Sequence, residues 1–334
     1  MNKISAEQIK ELRFLTQAGM AACKDALVEA EGDMNKAVDI VKAKGLQNVT
    51  ARSGRVGSEG RVAMNITSNK VTLVEVNCQT DFVANSPGFG DFVEQVSASL
   101  GSIDLFKFDG DFSKVSLGKR TLEDFRKETC VATGENVVIR RWMVEEINPL
   151  SISEDVAAIA TYIHSNNKLG VAVSFECNKP KIFELPSVKE FMSNVAMQIA
   201  AMNPIAVSTD RLPVEEVTRQ RAIFETQLRE ANKPEASWKK IITGKFNKWY
   251  SDVVLYNQES VVSPKLSVDF VLGEICKQLD CELKILNFVR LQVGEGIEVA
   301  KADLAAEVEK LSGVARTDSA FAPGSRDVIK GEAN

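Results

Sequence analysis

The sequence predicts an α+β chain of several domains, with a three-helix unit at its N-terminus, two related subdomains built on antiparallel sheets, and a protruding helical hairpin within the second. Three observations predict it. Apolar residues recur at helical spacing from residue 3 to residue 46. Apolar and polar residues alternate from Arg61 to Ile66 and again from Val71 to Val76. A strand, loop and apolar helix then recur at a separation of roughly a hundred residues, as an internal duplication would produce.

In the N-terminal unit the apolar positions are Ile9, Leu12 and Leu15, then Cys23, Ala26, Leu27 and Ala30, then Met34, Ala37, Val38 and Val41. Gly32 followed by Asp33 supplies a stop and an N-cap for the third helix, and Gly45 is expected as a second stop. Such a small unit, residues 1–46, resembles a ubiquitin-associated fold. Residues 47–60 turn to Gly, Ser, Arg and Asn, the composition of a linker. The first α+β subdomain is expected over residues 61–145, beginning with a hairpin around Thr67-Ser68-Asn69-Lys70. After a loop from Cys78 to Ser86, Pro87 can open a helix that carries Phe89, Phe92, Val93 and Val96 on one side.

The second subdomain is expected over residues 146–312. Its Val173-Ser174-Phe175-Glu176-Cys177 lines up with Val74-Glu75-Val76-Asn77-Cys78, and each segment leads through a loop to an apolar helix. The loops differ: Gln79-Thr80-Asp81-Phe82 in one copy, Asn178-Lys179-Pro180-Lys181 in the other. A shared scaffold with unshared loops directs attention to the distinctive loop. Residues 213–257 predict the helical hairpin, with Ile223, Phe224 and Leu228 facing Trp238, Ile241, Ile242 and Trp249. Residues 313–334 have the composition of a disordered tail.

Composition removes several function classes. The 334 residues carry a net charge of −5 with both signs interspersed, which argues against a nucleic-acid partner. No apolar run is long enough to span a bilayer, and Met1-Asn2-Lys3-Ile4 leads straight into an amphipathic segment, so no membrane partner and a cytoplasmic location are expected. Six scattered cysteines form no Cys-x-x-Cys pair, and His164 is the one histidine, so neither a metal site nor a cofactor is expected and an acid/base dyad lacks its usual member. Gly88-Phe89-Gly90 and Gly294-Glu295-Gly296 complete no phosphate-binding motif.

The segment Val74-Glu75-Val76-Asn77-Cys78-Gln79-Thr80-Asp81-Phe82-Val83-Ala84-Asn85 resembles the signature of the elongation factor Ts family. Further segments resemble it in order: Leu12-Arg13 with Thr16, Ala18-Gly19-Met20, Cys23-Lys24 and Ala26-Leu27; Thr133-Gly134-Glu135-Asn136 with Ile139-Arg140-Arg141; Gly244-Lys245-Phe246; and Val293-Gly294-Glu295-Gly296-Ile297-Glu298. The chain departs from the family at Gln17, Ala21, Ala22 and Gln198.

The resemblance implies a guanine-nucleotide exchange factor for the GTPase elongation factor Tu, with no covalent chemistry of its own. Such a factor works by binding the nucleotide-free partner better than the GDP-bound one. Asp81 and Phe82 have the chemistry for this, since an aromatic ring can wedge into an apolar crevice while a carboxylate perturbs groups around a magnesium ion. By the same resemblance Thr80 and Val83 shape the loop, Leu12 and Met20 add partner contacts, and a 1:1 or a 2:2 complex stays open. Two other readings compete: a small enzyme using a cysteine nucleophile, which lacks an activating base, and a ubiquitin-type adaptor, which explains only the N-terminal unit.

Overall fold

A computed structural model describes residues 4–16, 18–52, 57–67, 69–104, 107–147 and 156–297, without the side chains of residue 42 and residues 45–52. The expected tail at 313–334, the stretch 298–312, Gln17 and part of the expected linker lie outside the described residues.

Three helices come first: α1 (Ala6–Thr16), α2 (Met20–Glu29) and α3 (Met34–Arg52). They close around Leu12, Cys23, Ala26, Leu27, Ala37 and Val41. Gly32 turns the chain at φ 90°, and the Asp33 carboxylate accepts the Lys36 N–H at 3.1 Å as the predicted cap. Gly45 does not stop the third helix. A mid-helix glycine costs only about 1 kcal/mol relative to alanine, and the Lys, Leu, Gln and Ala around it carry the helix on to Arg52, alongside α6 below. The interval expected as linker is therefore helical at its start and, from Glu59, strand at its end.

Strands β1 (Glu59–Ile66) and β2 (Lys70–Cys78) form the predicted hairpin. They are followed by a single-turn helix, α4 (Asp81–Ala84), by α5 (Pro87–Gly101), by a two-residue ribbon of β3 (Ser116–Leu117) and β4 (Arg120–Thr121), and by α6 (Leu122–Thr133). Strand β5 (Val138–Glu146) then pairs antiparallel with the free edge of β2, giving the order β1-β2-β5. The second copy repeats the plan with β6 (Ala157–Ile163), β7 (Leu169–Cys177) and α7 (Pro186–Met202). Helices α8 (Val214–Glu230) and α9 (Glu235–Val253) are inserted next, before α10 (Val268–Leu279) and β8 (Leu283–Gln292) complete a β6-β7-β8 sheet.

The duplication extends to irregularities. A bulge breaks β2 between Glu75 and Val76 and breaks β7 between Ser174 and Phe175, the same pair in the alignment of the two segments. A proline opens the following helix in both copies, Pro87 and Pro186. In each copy the sheet covers its helices with one face, through Val74, Val76 and Cys78 in the first and Val173, Phe175 and Cys177 in the second. The other faces of the two sheets meet through Val62, Val71 and Leu73 on one side and Ala172 and Leu291 on the other. Gly170 marks the closeness of that meeting: a Cβ there would sit 2.8 Å from Leu73 Cδ2 and 2.9 Å from Val62 Cγ1.

Polar groups set the register of the two sheets. Glu75, wholly buried, accepts from Arg140 Nη1 at 2.9 and 3.0 Å, from Arg141 Nε at 2.5 Å and from the Gly294 N–H at 2.8 Å. The same arginines donate to the Gln292 and Glu295 carbonyls, tying β5 to the chain after β8. Glu145 crosses the gap in the opposite sense, accepting from the Ser174 hydroxyl at 2.6 Å and Asn287 Nδ2 at 2.8 Å. Burial pushes the Glu145 carboxyl above its ordinary value of 4.5, with the two hydrogen bonds opposing the shift. A raised acid pKa in the folded state means that the unfolded chain loses this proton first, so its stabilising contribution is present below about pH 4.5 and fades as pH rises. Glu145→Gln is expected to remove that decline, so urea midpoints of wild type and variant should converge in acid and separate in the variant's favour toward pH 8.

Helices α8 and α9 pack through Phe224, Leu228, Ile242 and Phe246, with Trp238, Ile241 and Trp249 against them. Ile223, expected in that seam, is exposed, and Phe246 occupies the seam instead, its ring edge-on to Phe224 at 5.3 Å.

Candidate functional site

The loop after β2 is a capped turn of helix. Thr80 is the N-cap of α4, with its Oγ1 accepting the Val83 N–H at 3.4 Å. The turn is closed by Ala84 N–H to Thr80 O at 3.1 Å, Asn85 N–H to Asp81 O at 2.9 Å and the Ser86 hydroxyl to Val83 O at 2.8 Å. Ala84 is buried and Val83 packs on the core of the first copy, which fixes the inward side of the turn. At 100° per residue Phe82 lies about 200° from Ala84, on the outward side.

The ring of Phe82 is accordingly 84% exposed, more than any other large apolar side chain among the described residues. Asp81 beside it is also exposed. Full burial of a phenylalanine is worth about 1.5–3 kcal/mol. The free chain leaves nearly all of that unrealised, at a position whose backbone is hydrogen-bonded on both sides.

A residue to which the sequence reading gives no role holds the base of the loop. Glu135 follows the C-cap of α6, where Gly134 adopts φ 74°. Its Oε2 accepts the N–H of Gln79 at 2.8 Å and of Thr80 at 3.1 Å, and its Oε1 accepts the Thr80 hydroxyl at 2.5 Å. The signal is present in the sequence only as part of Thr133-Gly134-Glu135-Asn136, 55 residues from the threonine it grips.

A family model described as elongation factor TS matches residues 79–295, more than half of the chain. Proteins named elongation factor Ts match over nearly their whole length. That of Trichlorobacter lovleyi is 36% identical over 321 residues, covering 93% of this chain and 99% of its own. That of Nitratiruptor sp. is 36% identical with 91% and 98% covered, and that of Brucella anthropi 37% identical with 91% and 97% covered. The chain belongs to the elongation factor Ts family. The family match opens at Gln79, the first residue held by Glu135, and closes at Glu295, which the two arginines on Glu75 also engage.

The elongation factor Ts resemblance also points to Leu12 and Met20, and the fold separates them. Leu12 is wholly buried at the centre of the three-helix core, because its face of α1 is the one that α2 and α3 cover. In the free chain it serves as core packing, the role that an apolar helical position favours over the partner contact the resemblance implies. Met20 is 55% exposed at the start of α2, and Leu15, expected on the apolar face of α1, is also exposed. Of the departures from the family, Ala21 and Ala22 are exposed, whereas Gln198 is buried. Its amide is fully engaged, donating to Gln258 Oε1 at 3.2 Å and Glu259 O at 3.1 Å and accepting the Val261 N–H at 2.8 Å. It pins the segment after α9 to α7.

The cysteines and the histidine offer little to the enzyme reading. Cys78 at the strand exit is pushed up to about 12 by burial, with the Glu135 and Glu59 carboxylates adding to the shift. That shift keeps the thiol protonated at neutral pH, the form that is the poorer nucleophile. Burial raises Cys130 too, and burial together with the adjacent thiols of Cys177 and Cys276 raises Cys281 to about 12. His164 sits on the surface with its Nδ1 2.8 Å from the Tyr162 hydroxyl. No group of His, Cys, Asp and Glu among the described residues is arranged to hold a metal ion, and no helix among them is long and apolar enough to cross a membrane.

Proposed function

We propose that this chain is the guanine-nucleotide exchange factor of elongation factor Tu. It binds the GDP-bound GTPase, inserts the loop at 80–83 beside the magnesium and phosphate site, and promotes GDP release so that GTP can bind. Phe82 is the wedge and Asp81 its charged companion, with Thr80 and Val83 fixing the turn beneath them. A GTPase holds GDP with phosphate-binding backbone amides, a lysine and magnesium, so no covalent step is needed to speed release. What is needed is an interaction made only with the empty or half-opened site, and linkage then makes factor and nucleotide weaken each other by one common ratio.

The observation that carries the reading is the 84% exposure of Phe82 on a turn whose other side is anchored in the core. A ring held outward on a capped turn loses little conformational freedom on insertion. Membership of the elongation factor Ts family supports the choice of partner. The N-terminal helices, read as a ubiquitin-associated-like module, add a second contact through Met20, and the paired helices at 213–257 grip the partner elsewhere. The cytoplasm is where this partnership operates.

Release of a fluorescent GDP analogue from elongation factor Tu tests the reading. The chain should accelerate it at catalytic ratios, and no acceleration would remove the proposal. Met20→Ala is expected to weaken the complex about threefold, a loss proportionate to a half-exposed side chain, with the melting temperature unchanged. Mass measurement of the mixed complex distinguishes 1:1 from 2:2 assembly.

A further inference from the structure

We infer that Glu135 is the positioning residue of the loop, a carboxylate that reaches from beyond the end of α6 to hold Gln79 and Thr80 so that Phe82 stays turned outward. This rests on the reading of Phe82 as the wedge. Glu135 accepts two backbone N–H groups and one hydroxyl, at 2.8, 3.1 and 2.5 Å. Those two N–H groups lie before the first turn of α4, where no helical carbonyl is available to them. The hydroxyl matters most. By accepting the hydrogen bond of the Thr80 hydroxyl, Glu135 leaves a lone pair of the same oxygen facing the Val83 N–H, so the cap that starts the turn is oriented from outside it.

The anchor is itself fixed. Gly134 N–H bonds to Cys130 O at 3.0 Å to end α6, and the Glu135 N–H bonds to Thr133 Oγ1 at 3.3 Å. The duplicated half ties its loop with a different set of bonds, among them the Lys179 ammonium on the Asp280 carboxylate at 3.2 Å. Its loop is also tied to the chain after the last helix, but by Asn178 N–H to Glu282 O at 3.2 Å and Glu282 N–H to Asn178 Oδ1 at 2.8 Å. That loop turns Ile182 into the core and packs Phe183, partly buried, against the same core, where the first loop holds Phe82 outward. In the first copy the anchor is instead a carboxylate that takes the backbone N–H groups and the capping hydroxyl of the loop that carries Phe82.

Three full-length variants test the role. Glu135→Ala should unprotect the Gln79 and Thr80 amides to hydrogen exchange by NMR, and lower the acceleration of GDP release about tenfold, the scale of a small misplacement of a reacting group. Affinity for nucleotide-free elongation factor Tu should fall less than about threefold. Glu135→Gln keeps an acceptor for both amides and should restore most of the rate, as positioning requires. Unchanged amide protection in Glu135→Ala overturns the clamp. Lost protection with unchanged release overturns its role, and a Gln variant as slow as Ala replaces positioning by a charge effect, which also overturns the inference. Phe82→Ala run in the same assay separates the cases: if it too leaves release unchanged while the amides respond to Glu135→Ala, the wedge reading has failed and the clamp stands only as structure.

Discussion

Phe82→Ala is expected to reduce the acceleration of GDP release at least about tenfold, while binding to nucleotide-free elongation factor Tu falls only severalfold. The stability of the chain should change by no more than about 0.5 kcal/mol, because an exposed ring makes few contacts to lose. Tenfold corresponds to about 1.4 kcal/mol of barrier, within what burial of one phenylalanine supplies. The separation of rate from affinity is the informative part. An anchor that bound both states of the partner equally would lower affinity and leave release from the complex untouched. A ring that enters only as the nucleotide site opens lowers the rate first.

The second large effect concerns stability. Glu75→Ala should destabilise the chain by about 3 kcal/mol, the low end for breaking a buried pair from one side, because Arg140 and Arg141 retain 24% and 27% side-chain exposure and keep some water. The cost arises because both guanidinium groups and the Gly294 N–H lose their shared acceptor between the sheets. A drop in the urea midpoint with an unchanged slope is the expected record. A change below about 1 kcal/mol would show that the arginines re-pair in place.

Local patterns make most of the fold legible. The recurrence of Val74 to Cys78 at Val173 to Cys177 foretells a repeated sheet, and the bulges at Glu75 and Ser174 show how deep that repetition runs. Pro87 opens its helix and Asp33 caps its own. Boundaries set by a balance of small energies are less legible: Gly45 is too weak a breaker to end α3 among good helix formers. Leu12 is ambiguous in sequence because a helical apolar position carries no mark of whether another helix or a partner covers it. That Phe82 points away from the core follows from the inward placement of Val83 and Ala84, which only packing decides.

What sequence does not reveal is contact between distant segments. Glu135 meets Thr80 across 55 positions, and Glu145 meets Asn287 across 142. Neither pair has a spacing that any local period would flag. Both lie where the duplicated halves differ from a simple repeat, at the loop base of one copy and at the meeting of the two sheets.

The most direct test of the account is the coupling between the chain and GDP on elongation factor Tu, obtained from the affinity of the chain for its partner with and without saturating nucleotide. The wild-type chain should bind the empty partner far more tightly than the GDP-bound one, and Phe82→Ala should lower that ratio by the same severalfold factor by which it loses affinity for the empty partner. A variant that keeps the full ratio would place the antagonism elsewhere on the surface and contradict the role assigned to the outward ring.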